Sequence, residues 1–464
     1  MTTPLHWLSI AEASERLRRR ELHSEALVSA HLERIGKVQS KLNAFITLTA
    51  DAALEKARHA DAEISAGRYC GPLHGIPIAH KDLVWTRGVR TTAHSNLLRD
   101  WMPGEDGRVY SLLEKAGAIS LGKTSLHEFA IGSPGHDEAF PAARNPWNVD
   151  HMPGSSSSGS AAGVAAGLFM GATGTDTGGS VRHPAAVCGI VGTKPTYGRV
   201  SCHGVIPLAP SMDHVGPLTR TVADSALMLQ AMAGHDARDP NSADETVPDF
   251  SRLIGRDIRG LRIGVPRRFM ESIEHTPDIL AAFREVERVL RSLGALLEDI
   301  APEGLEESHD AGSLITTFEA FQYHKANLAE RPEAYAANFR GRFAKAAQIT
   351  EEMYRDALEK MKHVRESMRQ IFASGVSAIV NPGREKPAQT MRELVAEPLG
   401  KRSLALRMFS VTGNPALVLP MGFNEAGLPL GLQIGAAHFR EDVLFQVASA
   451  YEAATPWHRR HPPI

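Results

Sequence analysis

Cysteine is scarce in this chain. Cys70, Cys188 and Cys202 are the only three in 464 residues; they are widely spaced and form no Cys-x-x-Cys pair. That excludes a disulfide framework and a cysteine zinc site, and predicts a reduced, cytoplasmic protein. An excess of charge of one sign is missing too. Fifty-one basic side chains face 53 acidic ones, for a net charge of −2. No large positive field is available to hold a nucleic-acid backbone or an anionic membrane, so neither is expected as a partner. Long hydrophobic runs are also lacking. The longest weakly polar stretch, Ser160 to Thr173, falls short of the ~20 apolar residues a spanning helix needs. Met1 to Trp7 carry no basic segment followed by an apolar one, so no signal peptide is expected.

What is present is ordinary for a globular protein: 43% hydrophobic and 22% charged residues. Forty glycines and 28 prolines, without a period, argue for a loop-rich fold. Residues 9–65 read as helices, with Asp51 as an N-cap. From Pro72 onward, short apolar runs alternate with helical stretches. Strands are expected at 75–79, 117–121, 190–192, 261–266, 417–420 and 430–434. Helices are expected at 109–116, 161–172, 277–293 and 441–454, and through most of 313–374. The alternation predicts an α/β fold with a buried sheet. The polar stretch 235–255 fits either a domain boundary or a surface loop of one large domain.

Three segments carry chemistry. Pro153-Gly154-Ser155-Ser156-Ser157-Ser158-Gly159-Ser160 runs straight into Ala161-Ala162-Gly163-Val164. As a flexible linker it would not lead directly into an Ala-rich helix. A Ser/Gly loop at a helix N-terminus gathers backbone N–H donors and suits an anion or a developing oxyanion. In Thr175-Asp176-Thr177-Gly178-Gly179-Ser180-Val181-Arg182, two glycines before a serine let the backbone approach a ligand closely. In Gly75-Ile76-Pro77-Ile78-Ala79-His80-Lys81, a lysine closes an apolar strand. Such a lysine is either a snorkelling surface residue or a buried one whose amine is neutral near pH 7.

Together with Gly122-Lys123-Thr124, Arg144-Asn145-Pro146-Trp147-Asn148, Lys194 to Ser201, Thr412 to Ala416 and Ala454 to His458, the set resembles the amidase signature family over nearly the whole chain. The resemblance implies one α/β/α domain over 1–464 with a large mixed sheet flanked by helices: N-terminal helices 1–65, a signature core 70–230 and a helical substrate-side region 270–400. It implies a Ser-Ser-Lys triad: Ser180 as nucleophile, Ser156 as proton relay and Lys81 as base. It also implies an oxyanion hole from the backbone N–H groups of Thr177, Gly178, Gly179 and Ser180. Ser157, Asp176 and Arg182 would be supporting groups, and the Ser155–Ser156 peptide would be cis. Phe129, Ile131 and Arg384 are candidates for substrate contact, in a bulky hydrophobic pocket completed by the 313–345 helices, with Arg384 meeting a substrate carboxylate. No cofactor or metal is implied. The expected partner is a small-molecule amide, and a homodimer is compatible with the pattern.

The chain departs from the family's usual Gly-Gly-Ser-Ser-Gly-Gly-Ser around Ser156. His80 and His183 stand where small or aliphatic residues are common, and the late loop Asn381 to Pro387 is unusual. Three rival motifs fail on context. Gly117 to Thr124 matches a P-loop, and Ser120 to Lys123 an SxxK motif, but their middle reads as a strand. His127-Glu128 begins a zincin motif in which Ile131 replaces the second histidine. No GxSxG elbow surrounds Ser156 or Ser180.

Within the family, a free amidase competes with a carbamate, urethane or allophanate hydrolase and with the glutaminase subunit of a tRNA-dependent amidotransferase. Residues 336–356 lack that subunit's Phe-Gly-x-Glu-Val-Lys-Arg-Arg segment, so the free amidase is the favoured expectation. A non-catalytic assembly subunit is disfavoured, because all three triad residues are present.

Overall fold

Eleven strands of the described residues pair into one mixed sheet: β1 (Phe45–Leu48), β2 (Pro77–Lys81), β3 (Ile119–Thr124), β4 (Gly171–Thr175), β5 (Val191–Lys194), β6 (Val215–Thr219), β7 (Arg262–Val265), β8 (Leu296–Asp299), β9 (Ala378–Pro382), β10 (Ala416–Phe423) and β11 (Pro429–Ala436). The structure is a computed structural model that describes residues 3–132, 134, 137–344, 346–396 and 404–464. Spatial order is β1-β3-β2-β4-β6-β5-β10-β11-β9-β7-β8. β2 runs parallel to both β3 and β4. β4 through β9 pair antiparallel across the middle, and β7 joins β9 and β8 in parallel. The halves of the chain meet where β5 pairs β10, with Ala416 opposite Lys194.

β2, β4, β5, β6, β9 and β11 are buried along their whole length. That is why β2, β5 and β11 carry short apolar runs without alternation. Neighbouring residues still face opposite ways: Ile78 and Leu417 belong to one apolar cluster, Ala79 and Val418 to another.

The Ser/Gly segment is no linker. It enters the helix Ser158–Ala165, all of whose residues are buried. A helix without large or charged side chains is accepted on every face. At Gly163 an added Cβ would lie 2.1 Å from the Phe169 ring, and at Gly174 2.9 Å from Ser157 Oγ. Glycine is therefore what lets this helix and β4 close on each other.

Several expectations are corrected. The helix expected over 161–172 ends at Ala165, and Gly167 (φ 71°) turns the chain into β4. Thr49 rather than Asp51 sits at the N-cap of the helix Ala50–Ser65, with Asp51 in its first turn. β1 falls inside a segment read as helical, and β6 and β8 were not expected. Lys123, in the P-loop match rejected above, lies in a strand as expected. It is buried in β3, donating to Thr91 Oγ1 at 2.6 Å and facing Asp82 at 3.4 Å. Residues 235–255 contain no strand or helix, but bury Asp236, Asp239 and Phe250. Among the described residues no helix is long and apolar enough to cross a membrane.

Candidate active site

Strand β2 delivers Lys81 into the interior. Its side chain is fully buried, and Nζ lies 2.7 Å from both Ser156 Oγ and Thr175 Oγ1. The register that sets His80 opposite Thr173 carries Lys81 toward Thr175, at the end of β4. Burial lowers the Lys81 amine to about 7, against the opposing pull of the Asp176 and Asp213 carboxylates. Desolvation penalises the ammonium more than the amine, so a large neutral fraction exists near neutral pH.

Ser156 is 1% exposed and follows a cis Ser155–Ser156 peptide. Its neighbour Ser157 ties the loop to β4. Ser157 Oγ donates to Thr175 O and accepts from Thr175 N–H, both at 3.3 Å. Ser157 N–H donates to Ser180 O at 3.2 Å, which seats the Ser180 loop on the Ser156 loop. Ser180 is half-buried and lines a cavity of about 770 Å³ with Ser155, Thr177, Gly178, His183 and Arg384. Lys81 and Ser156 are not among its lining residues. No side-chain hydrogen bond of Ser180 Oγ is formed among the described residues, so the Ser180–Ser156 link is not closed here. Such links are often long until substrate binds.

Asp176 and Arg182 form a fully buried, two-pronged ion pair, with Arg182 Nε and Nη2 each 2.9 Å from a carboxylate oxygen. Arg182 further donates to Leu406 O, Gln433 Oε1 and Ser410 Oγ. Burial opposes the Asp176 charge. The Arg182 guanidinium overcomes it and holds the carboxyl well below the usual range. Asp176 in turn accepts from Gly179 N–H at 2.7 Å and from Val181 N–H at 3.2 Å.

That arrangement corrects the expected oxyanion hole. The Gly179 N–H is committed to Asp176, whereas the backbone N–H groups of Thr177, Gly178 and Ser180 donate to nothing among the described residues. Thr177 is steadied by Asp213, which accepts from its hydroxyl at 2.5 Å. A Cβ at Gly178 would come within 2.8 Å of the Arg407 guanidinium, which would have to shift.

Of the expected substrate contacts, Ile131 and Arg384 line the cavity and Phe129 does not. Phe129 and Ala130 both adopt positive φ, and the Phe129 ring packs 4.4 Å from His324 and beside Tyr335 and Phe339. The expected hydrophobic pocket is instead rich in polar groups. Arg342, Arg384, Lys386 and Arg407 line it, against Glu274 and Glu385. From the described residues of 313–345, only Thr316 and Arg342 reach it. Sequence reasoning missed Thr175, Asp213 and the pairing of His183 with Arg384. Thr175 opens the quoted Gly-Gly-Ser segment and Asp213 lies outside every quoted motif; strand pairing and loop closure bring them in. No group of three His, Cys, Asp or Glu side chains among the described residues is placed to hold a metal ion.

The architecture and sequence match known proteins along nearly their whole length. The family model described as Amidase matches residues 26–445. The A subunit of glutamyl-tRNA(Gln) amidotransferase from Moorella thermoacetica is 38% identical over 485 aligned positions, covering 99% of each chain. Its counterpart from Geobacter metallireducens is 40% identical, covering 97% of this chain and 98% of its own. The X-ray structure of native peptide amidase from Stenotrophomonas maltophilia superposes with a TM-score of 0.85 at 31% identity, covering 99% of both chains. With a buried Lys–Ser pair under a Gly-Gly-Ser loop, an eleven-stranded mixed sheet and these matches, the chain belongs to the amidase family.

Proposed function

We propose that this protein hydrolyses the C–N bond of a small carboxamide through an acyl-enzyme on Ser180. The observation that carries the reading is the buried Lys81 amine, lowered to about 7 and 2.7 Å from Ser156 Oγ, directly beneath the Ser180 loop. A serine hydroxyl is a weak nucleophile until a base takes its proton.

Ser180 Oγ attacks the substrate carbonyl carbon. Its proton passes to Ser156 Oγ, whose own proton passes to Lys81 Nζ, leaving an ammonium. The negative oxygen of the tetrahedral intermediate accepts from the free N–H groups of Thr177, Gly178 and Ser180, where each donor is worth ~10²–10³ in rate. As the C–N bond breaks, the proton returns from Lys81 through Ser156 to the leaving nitrogen. Ammonia or an amine departs and an ester remains on Ser180. Water then repeats the cycle, giving its proton to the same relay. The C–Oγ bond breaks, Ser180 recovers its proton and a carboxylic acid leaves. Carbamates and related urea-like bonds fit the same steps. Asp176, Arg182, Ser157 and Asp213 act as positioning residues.

The identity to the A subunits of amidotransferases over nearly the full chain favours a second reading for the fate of the nitrogen. In it, the chain is the glutaminase subunit of a tRNA-dependent amidotransferase and hands ammonia to a partner. These relatives support that reading better than the free amidase that the missing Phe-Gly-x-Glu-Val-Lys-Arg-Arg segment suggests. The test is release of ammonia or amine by the purified chain from aliphatic amides, anilides, aryl carbamates and glutamine, with Ser180→Ala as control. Turnover of amides or carbamates that vanishes in Ser180→Ala supports the stand-alone hydrolase. Activity on glutamine alone supports the glutaminase reading. Turnover that survives in Ser180→Ala refutes the acyl-enzyme.

A further inference from the structure

His127 lines the Ser180 cavity and takes no part in the steps above. Its backbone N–H donates to Ser156 O at 3.1 Å, and Ser157 N–H donates in turn to Ser180 O at 3.2 Å, so His127 stands beside the relay serine. The left-handed turn at Phe129 and Ala130 brings the chain back, and Gly132 O meets His127 Nδ1 at 2.9 Å. A carbonyl oxygen has no proton to give, so Nδ1 is the donor and carries the ring hydrogen. The lone pair of the neutral ring is then on Nε2. Burial lowers His127 to about 4, against the opposing pull of the Glu138 carboxylate and the Gly132 carbonyl. The ring is neutral near pH 7, and its tautomer is fixed.

Nε2 makes no hydrogen bond among the described residues, and it is not sealed off as His31 Nε2 and His324 Nε2 are. The opening it faces is the cavity that exposes Ser180. An amide brought to Ser180 turns its carbonyl oxygen to the free backbone N–H groups of Thr177, Gly178 and Ser180. Its nitrogen lies toward Ser156, which returns the proton to it. That is the side on which His127 stands. An amide N–H taken out of water there is costly unless an acceptor meets it.

We propose that His127 Nε2 accepts from the N–H of the scissile amide, so that His127 selects carboxamides bearing an N–H over esters of the same acid. An ester oxygen brings only lone pairs to that place, and a fully substituted amide brings no proton either. A site built to accept a hydrogen bond discriminates against the analogue that lacks the donor, because its own polar group is then left unpaired. This selection rests on the acyl-enzyme reading for the side on which the leaving nitrogen lies, but not for the acceptor itself.

The test uses the full chain and matched pairs with one acyl group: butyramide and methyl butyrate, benzamide and methyl benzoate, glutamine and the γ-methyl ester of glutamic acid. His127→Asn keeps an N–H at the place of Nδ1 for Gly132 O and has no atom at the place of Nε2, whereas His127→Gln carries an oxygen out to that place. In His127→Asn the amide-to-ester ratio of kcat/KM falls about five- to tenfold, as one neutral hydrogen bond is worth. In His127→Gln it stays within about threefold of wild type. A merely structural loss lowers both members of a pair alike. A ratio that His127→Asn leaves unchanged overturns the proposal, as does an equal fall in both variants. The same pairs are titrated calorimetrically into Ser180→Ala, alone and with His127→Asn, where neither turnover nor the acyl-enzyme enters. The amide binds tighter than the ester only while His127 is present, and equal binding of every pair overturns the proposal. Turnover that survives in Ser180→Ala while the amide preference persists refutes the acyl-enzyme and leaves His127 as the acceptor. Turnover lost in Ser180→Ala with an unchanged ratio in His127→Asn does the reverse.

Discussion

Replacing Lys81 with methionine separates catalysis from stability in a way few substitutions do. The fall of the amine from 10.5 to about 7 corresponds to about 5 kcal/mol at ~1.36 kcal/mol per pH unit. The sign follows from proton binding. Between about 7 and 10.5 the unfolded chain binds a proton at this site that the folded chain does not, so wild-type stability rises with pH across that window. The stability linked to a neutral Lys81 is complete above the unfolded value and lost as pH falls through about 7. Lys81→Met has no such slope. It forfeits the contacts to Ser156 and Thr175, at about 1 kcal/mol each. The variant is therefore expected to be about 3 kcal/mol more stable than wild type at pH 6.5, with the difference vanishing near pH 9. For 464 residues, at ~2.1 cal/mol/K each, that is a Tm increase of about 3 °C. Over the same range Lys81→Met loses ~10²–10⁴-fold in amide turnover. Paired thermal melts at pH 6.5 and pH 9, with rates on one amide, check both statements. A stability difference that does not change with pH refutes the argument.

In wild type, kcat/KM for an amide rises with pH through about 7 and then levels, since the base must be neutral before Ser180 attacks; a pH–rate profile without that inflection removes Lys81 as the base. Arg182→Met leaves the Asp176 carboxylate buried and unpaired, so denaturant unfolding should show a loss of about 3–5 kcal/mol, larger than that of Asp176→Asn/Arg182→Met together. Gly163→Ala reverses the usual helix preference: alanine is favoured by ~1 kcal/mol in an exposed helix, but its Cβ would meet the Phe169 ring at 2.1 Å, which makes it destabilising by about 1–3 kcal/mol in a melt. Phe129→Ala lowers stability by about 3–5 kcal/mol while leaving the ranking of amide substrates unchanged, because its ring lies outside the cavity; a changed ranking in a substrate panel contradicts that placement.

Part of this protein is legible without coordinates. β2, β5, β10 and β11 announce themselves as short apolar runs, and the rejection of Lys123 as a phosphate ligand follows from the strand around it. The Ser/Gly loop leading into Ala161, the Gly-Gly before Ser180 and the lysine closing β2 mark the chemistry. These are local properties: side-chain type, backbone freedom and periodicity act over a few neighbours, and a sequence records them directly. β4 and β6 escaped because glycine, threonine and proline interrupt their apolar runs, and β1 and β8 because each is a four-residue strand beside a helix.

What only the tertiary structure decided depends on which distant segments touch. The parallel pairing of β2 with β4 turns Lys81 into a partner of Thr175 as well as of Ser156. The Asp176–Arg182 pair takes the Gly179 N–H out of the expected oxyanion hole, because a buried carboxylate gathers every donor within reach. The left-handed turn at Phe129 and Ala130 sends a ring expected at the substrate into the core. His183 and Arg384, 201 positions apart, meet only because β9 lies in the same sheet as β4 and β5. Burial then sets the charge of Lys81. A residue's type is written in the chain, but the energy of its charge depends on how much water the fold removes and which groups replace it.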